Sequence, residues 1–166
     1  MHKQKTLIGR ADVLEEFSGH PAVAAILAWN PEALTDAKFD YGELTLTMAA
    51  EDICDAATVV QAAGYNFLDD LTAVDWYPSS PRFQLSYHIL SHSHKEYIRL
   101  RVLLPGENPT VESMTSVWPS ANYYEREVFD LFGIHFEGHP NLRRIMLPDE
   151  WEGHPLRKDY PVEGYR

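Results

Sequence analysis

The chain has one cysteine, Cys54, and that scarcity excludes two kinds of chemistry. A single thiol cannot close an internal disulfide, nor can it supply the several thiolates that an iron–sulfur cluster takes from one chain. Set in an alanine-rich helical pattern, Cys54 reads as a small core residue of a protein from a reducing, cytosolic compartment. Long apolar runs are missing too: none approaches the ~20 residues needed to span a bilayer. Positive charge is scarce, with 14 Lys and Arg against 25 Asp and Glu and a net charge of −11. That balance argues against nucleic acid or an anionic membrane as a direct partner, since both need basic patches. The first residues, Met1-His2-Lys3-Gln4-Lys5, are basic but precede no apolar stretch or small-residue cleavage site, so they do not read as a secretory signal. There is no glycine-rich phosphate loop, serine elbow or cysteine–histidine pair in a catalytic setting.

What is present suits one domain. At 166 residues and 45% hydrophobic content, the chain is long enough for its own core. Residues 1–20 are weakly patterned. Pro21 to Trp29 reads as a short helix, with proline in the first turn and Val23, Ile26 and Leu27 in one stripe. Alternation around Gly42 (Phe39 and Tyr41, then Leu44, Leu46 and Met48) predicts a hairpin with one buried face. Glu51 to Ala63 is helical, with Ile53, Ala56, Ala57 and Val60 inward and Gly64 as the stop. Three strand patterns follow, over Thr72–Tyr77, Arg82–Ile89 and Tyr97–Leu104, with polar turns between them. Such clean period-two alternation favours an antiparallel or mixed sheet covered on one face by helices. Val111 to Val117 reads as a further short helix. The expected fold is α+β, two-layered, in the order α-β-β-α-β-β-β-α.

The run Tyr124-Glu125-Arg126-Glu127-Val128-Phe129-Asp130-Leu131-Phe132-Gly133 carries the most specific signal. At ~100° per residue, Tyr124, Val128, Leu131, Phe132 and Phe129 form one apolar arc, with Arg126, Glu127 and Asp130 opposite. Glu125 falls inside the arc. A carboxylate there must lose its charge or find a cation, because burying it unpaired costs several kcal/mol. Arg143, Arg144 and Arg157 lie downstream to serve. A blander reading stays open: Asn122 as N-cap with Glu125 three residues on resembles a capping box, which would leave Glu125 solvated. Glu125 and Glu127 diverge by ~200° on a helix and cannot act as a convergent acid–base pair.

Beyond Gly133 the prolines at 140, 148, 155 and 161 rule out a continuous helix or a central strand. Ile134, Phe136, Leu142, Ile145, Trp151, Leu156 and Tyr160 are nevertheless too apolar for a solvated tail. Residues 21–133 therefore form the domain, and 134–166 an extended arm that wraps over it and onto a partner. The histidines His88, His92, His94, His135 and His139 lack the helical register of a zinc hydrolase, and His139 and His154 suit hydrogen bonding within the arm. Asp69, Asp70 and Asp75 are expected to be solvated or to meet Arg99 or Arg101 across the sheet.

The same stretches, in unbroken order, resemble one family. Ser116-Val117-Trp118-Pro119-Ser120-Ala121-Asn122, the Glu-Arg-Glu helix, Asp130-Leu131-Phe132-Gly133-Ile134, Gly138-His139-Pro140-Asn141-Leu142-Arg143-Arg144-Ile145 and His154-Pro155-Leu156-Arg157-Lys158-Asp159-Tyr160-Pro161 are similar to the 30 kDa subunit of proton-pumping NADH-quinone oxidoreductase, respiratory complex I. Leu71-Thr72-Ala73-Val74-Asp75-Trp76-Tyr77 and Tyr87-His88-Ile89-Leu90-Ser91 extend the likeness to roughly residues 51–161. Tyr123 departs from the tryptophan common in relatives. The resemblance implies a non-catalytic scaffold with no cofactor of its own. The assembly would carry FMN, iron–sulfur clusters and quinone. The expected partners are the quinone-site catalytic subunit and the iron–sulfur subunits of the peripheral arm, on the cytoplasmic side of a bacterial inner membrane that other subunits reach. Ion-paired docking would fall to Glu125, Arg126, Glu127, Asp130, His139, Arg143, Arg144, Arg157, Lys158 and Asp159. The rival readings are the equivalent subunit of a membrane-bound nickel–iron hydrogenase or quinone-linked dehydrogenase and, more distantly, a free-standing metal-binding hydrolase.

Overall fold

A computed structural model describes residues 6–164, so the basic run Met1 to Lys5 lies outside the described residues. The weakly patterned start holds defined structure, β1 (Leu7–Ile8) and α1 (Arg10–Phe17). The sequence reading missed it because only Val13 of α1 is fully enclosed, too little for a periodic stripe. After α2 (Pro21–Trp29), β2 (Leu34–Asp40) and β3 (Glu43–Met48) form the expected hairpin. Its turn is Tyr41-Gly42, both at positive φ (52° and 84°), the geometry whose twist matches paired strands. Tyr41 is accordingly exposed at the tip rather than buried on the hairpin's inner face.

Helix α3 (Ile53–Ala62) buries Ile53, Ala56, Ala57 and Val60, and Gly64 stops it at φ 105°. Then come β4 (Phe67–Asp75), β5 (Phe83–Ser91) and β6 (Glu96–Leu104). The six strands make one sheet in the order β1-β2-β3-β6-β5-β4, antiparallel throughout except for the parallel β3–β6 pair. Leu44, Leu46 and Met48 of β3, Phe83, Leu85, Tyr87 and Ile89 of β5 and Ile98, Leu100 and Val102 of β6 are all buried on one face. Val23 and Ile26 of α2, Ala57 and Val60 of α3 and Val128 of the last helix join them in one core. The opposite face carries Gln84, His88, Arg99 and Arg101.

Strand order corrects one expectation. β5 lies between β4 and β6, and among the described residues no ion pair joins the aspartates of β4 to Arg99 or Arg101. Arg99 instead pairs with Glu43 at 2.5 Å and Arg101 with Asp36 at 3.3 Å. Residues 111–117 are not one helix. Thr110–Glu112 is β7, and a 3-10 turn over Met114–Ser116 follows, capped by Ser113, whose side chain accepts from the Thr115 N–H. Helix α4 (Ala121–Phe132) ends at Gly133 in the left-handed conformation (φ 70°), and β8 (His135–Glu137) pairs in parallel with β7. Ile134 and Phe136 are fully buried. From Gly138 to Gly164 the chain runs without regular strands or helices over α4.

Candidate partner-docking site

Helix α4 encloses two carboxylates completely. Glu125 and Asp130 each have zero exposure. Glu125 points into the core as its place in the apolar arc requires, but among the described residues no arginine meets it there. Its Oε2 accepts from the Ser113 hydroxyl at 2.6 Å and its Oε1 from the Met114 N–H at 2.6 Å. Both donors are neutral and belong to the 3-10 turn before the helix. Burial pushes the Glu125 carboxyl up to about 7, with these two hydrogen bonds offsetting part of the desolvation. The capping-box reading fails for the same reason: α4 starts from Ser120, and the Glu125 side chain reaches 12 residues back in sequence. Beneath it sits the fully buried Tyr87, whose phenol is held well above its ordinary range by burial and then by Glu125 and Cys54.

Asp130 was expected on the solvent side of α4, yet the arm covers it. Arg144 Nη1 donates to Oδ1 at 2.5 Å, and the N–H groups of Ile145, Met146 and Leu147 converge on Oδ2 at 3.0, 2.8 and 2.9 Å. Burial alone would raise this carboxyl. The Leu147 N–H, Arg144 and the other two N–H groups outweigh it, and the pKa is lowered. The cation sought for Glu125 thus serves Asp130.

The arm also completes the C-terminus of α4. Its last carbonyls have no intrahelical donor and carry the negative end of the helix dipole. His154 Nδ1 lies 2.8 Å from the Asp130 carbonyl and must carry the proton, since a carbonyl only accepts. Leu156 N–H donates to the Leu131 carbonyl at 3.1 Å, and Arg157 Nε to that of Phe132 at 2.5 Å. Gly133 is required at this junction: a Cβ there would lie 2.5 Å from His154 Cδ2, on a backbone already at positive φ.

A second clamp holds the arm's far end. Arg82 bonds both oxygens of Asp75 (2.9 and 2.7 Å) and both oxygens of Asp159 (2.9 and 2.6 Å). The Lys158 N–H adds a bond to Asp75 at 2.9 Å. Burial raises the Asp75 carboxyl, but Arg82 and the Lys158 and Tyr77 N–H groups bring it down to about 2. The Arg82 guanidinium also lies over the rings of Tyr77 and Phe83, at 5.0 and 4.9 Å.

The sequence-derived set therefore divides. Arg126 donates to the Arg143 and Arg144 carbonyls at 3.1 and 3.0 Å, and His139 Nε2 lies 3.1 Å from the Asn122 carbonyl. These residues, with Asp130, Arg144, Arg157 and Asp159, fasten the arm to the domain. Glu127, Arg143 and Lys158 face solvent. The arm also exposes Met146 (62%), Leu156 (51%) and Trp151 (40%). Asp75 and Arg82 were missed as arm-holding residues. The one available signal was an arginine set in the proline-flanked turn Pro78–Arg82.

Comparison with known proteins follows the same residues. The family described as "Respiratory-chain NADH dehydrogenase, 30 Kd subunit" matches residues 46–166. An NADH-quinone oxidoreductase subunit from Roseiflexus castenholzii is 45% identical over 147 residues, 86% of this chain and 84% of that one. Among solved structures, the trypsin-resistant fragment of Nqo5 superposes with a TM-score of 0.63 at 32% identity, over 78% of this chain and 98% of that one. A chain of the membrane-bound sulfane sulfur reductase, an archaeal respiratory membrane complex, superposes with a TM-score of 0.75 at 25% identity, over 87% of this chain and 86% of that one.

Proposed function

Because the chain belongs to the 30 Kd subunit family of respiratory-chain NADH dehydrogenase, we infer that its own contribution is to dock and align catalytic subunits. It is a peripheral-arm subunit of NADH-quinone oxidoreductase and takes part in that activity within the complex. Our reading of its partners is the quinone-site catalytic subunit and the iron–sulfur subunits, at the cytoplasmic side of the membrane. FMN, the iron–sulfur clusters and quinone would then reside on other chains. The disposition of Cys54 supports this: its thiol is buried in α3, 3.7 Å from the Ser113 carbonyl and 3.8 Å from Ser116 Oγ, and burial raises its pKa, so it is poorly placed to ligate a cluster.

The observation that carries the docking reading is the state of the arm. Its backbone is fastened through Asp130 and Asp75 and its Asp159 carboxylate through Arg82, while Met146, Trp151 and Leu156 remain exposed, as do Glu127, Arg143 and Lys158. An arm held in one shape with its apolar side chains outward is pre-organised, so less ordering entropy is lost on binding. Glu125 and Asp130 act in this reading by holding that shape. The test is co-purification from detergent-solubilised membranes. The full chain should bring down the quinone-site subunit, and a chain lacking residues 138–166 should stay soluble but bring down far less. Normal recovery with the truncated chain would overturn the arm's role. The likeness to a chain of the sulfane sulfur reductase complex favours one second reading, the same scaffold in a related membrane-bound complex. The catalytic subunit that co-purifies decides between them.

A further inference from the structure

Strand β4 is the outer strand of the six-stranded sheet, with no strand beyond it among the described residues. At its start the edge is partly covered, since Tyr124 donates its hydroxyl to the Asp69 carbonyl at 2.7 Å and Ser120 Oγ lies 3.5 Å from that of Leu68. From Asp70 onward β4 and α4 part to leave a groove of about 320 Å³, floored by Leu71, Ala73, Val128 and Leu131 and closed at one end by Leu156 of the arm.

Carboxylates line the entrance. Asp70 on the strand and Glu127 on the helix both border it, with the Asp70 side chain turned toward His88 at the outer rim of the edge. Asp69, in the bulge of β4, is exposed beside them. Among the described residues neither Glu127 nor Asp69 has an ion-pair partner, and Asp70 has only His88, at 3.9 Å. The Tyr124 phenol registers this charge: burial raises its pKa first, and Asp70, Asp69 and Glu127 raise it further. A bulge and acidic side chains are the usual means of keeping an edge strand from pairing with a copy of itself. The same acidity would attract an extended segment of opposite charge.

We propose that this groove receives an extended, basic segment of a partner subunit, which adds alongside β4 with apolar side chains on Leu71 and Val128 and a Lys or Arg between Asp70 and Glu127. Edge-strand addition draws affinity from main-chain hydrogen bonds and specificity from alternate side chains in pockets. The proposal rests on the docking reading above and narrows it to one surface and one partner chemistry.

The experiment uses the assembled complex in solubilised membranes, with tagged wild-type chain and the double reversal Asp70→Lys with Glu127→Lys. Recovery of the quinone-site subunit should fall about tenfold or more with the reversal, because it sets like charges against each other. A photo-crosslinking side chain at Thr72 in the otherwise unchanged chain should mark a partner segment with alternating apolar residues and Lys or Arg. Normal recovery with the reversal overturns the groove. So does a crosslink to an acidic segment or to a second copy of this chain, or no crosslink at all. If the wild-type chain itself brings down no catalytic subunit, the docking reading fails instead, and the two failures are distinguishable.

Discussion

The inner and arm-facing sides of α4 hold one buried carboxylate each, five positions apart, and treat them in opposite ways. Glu125 is met by one hydroxyl and one N–H of the turn at Ser113–Met114, and its pKa rises to about 7. Asp130 is met by a guanidinium and three N–H groups of the arm, and its pKa is lowered. Exposure is zero at both, but Glu125 lies deeper in the protein than Asp130 and has fewer donors to offset its desolvation, so depth and donors together decide the charge. The inner side of the helix is thus built around a carboxyl that keeps its proton up to near-neutral pH. The outer side is built around a fixed anion that the arm must wrap in order to satisfy.

The contrast breaks most directly at Asp130. Asp130→Ala leaves Arg144 and three N–H groups without their acceptor, and should cost roughly 3–5 kcal/mol. Arm release should show in limited proteolysis after Gly138 and a lower denaturation midpoint. An unchanged digest and midpoint would mean that the arm is held elsewhere.

Glu125 should behave in the opposite sense with pH. Its folded pKa, about 7, lies above the ordinary carboxyl value of 4.5. The stabilisation from holding its proton is therefore complete below about pH 4.5 and lost as pH rises to about 7. The change is on the order of 3 kcal/mol, from 1.36 kcal/mol per pKa unit over a shift from 4.5 to about 7. Glu125→Gln should flatten this part of the stability–pH profile, because an amide neither gains nor loses a proton. Chemical denaturation at a series of pH values reads it, and parallel profiles for wild type and variant would refute the neutral assignment. For Asp130 the sign reverses, since a lowered pKa places its stabilisation above the unfolded value and removes it as pH falls.

Gly133→Ala sharpens the comparison by displacing the arm while both carboxylates remain. Its Cβ would meet His154, and its φ is +70°. A loss of about 1–2 kcal/mol is expected from strain, with faster cleavage within residues 138–164 and the Glu125-dependent pH profile kept. A variant as protease-resistant as wild type would show that His154 moves aside freely. The smallest effect belongs to Asp159→Asn. Asp159 is 44% exposed and shares Arg82 with Asp75. Denaturation should show a loss of about 1 kcal/mol or less, and a larger one would make this clamp an equal of the Asp130 site.

Much of this molecule was legible as sequence. Alternation around Gly42, the alanine-rich stripe before Gly64 and the arc of α4 depend on residues a few positions apart, and the elements stand where those patterns put them. The enclosure of Glu125 followed from its angle on the helix alone. Its partner did not, because the Ser113 hydroxyl and Met114 N–H come from a turn whose place relative to α4 depends on the pairing of β7 with β8. The role of Asp130 was hidden for a related reason: periodicity sees the face of one helix and not a later segment folding back over it. Likewise β5 inserts between β4 and β6, and among the described residues the aspartates of β4 form no ion pair with Arg99 or Arg101. Local patterning settled which side chains must leave water. Which donors meet them there, and so which carboxyl keeps a charge, was settled by tertiary contacts between distant segments, because desolvation is a property of one site and compensation a property of its neighbours.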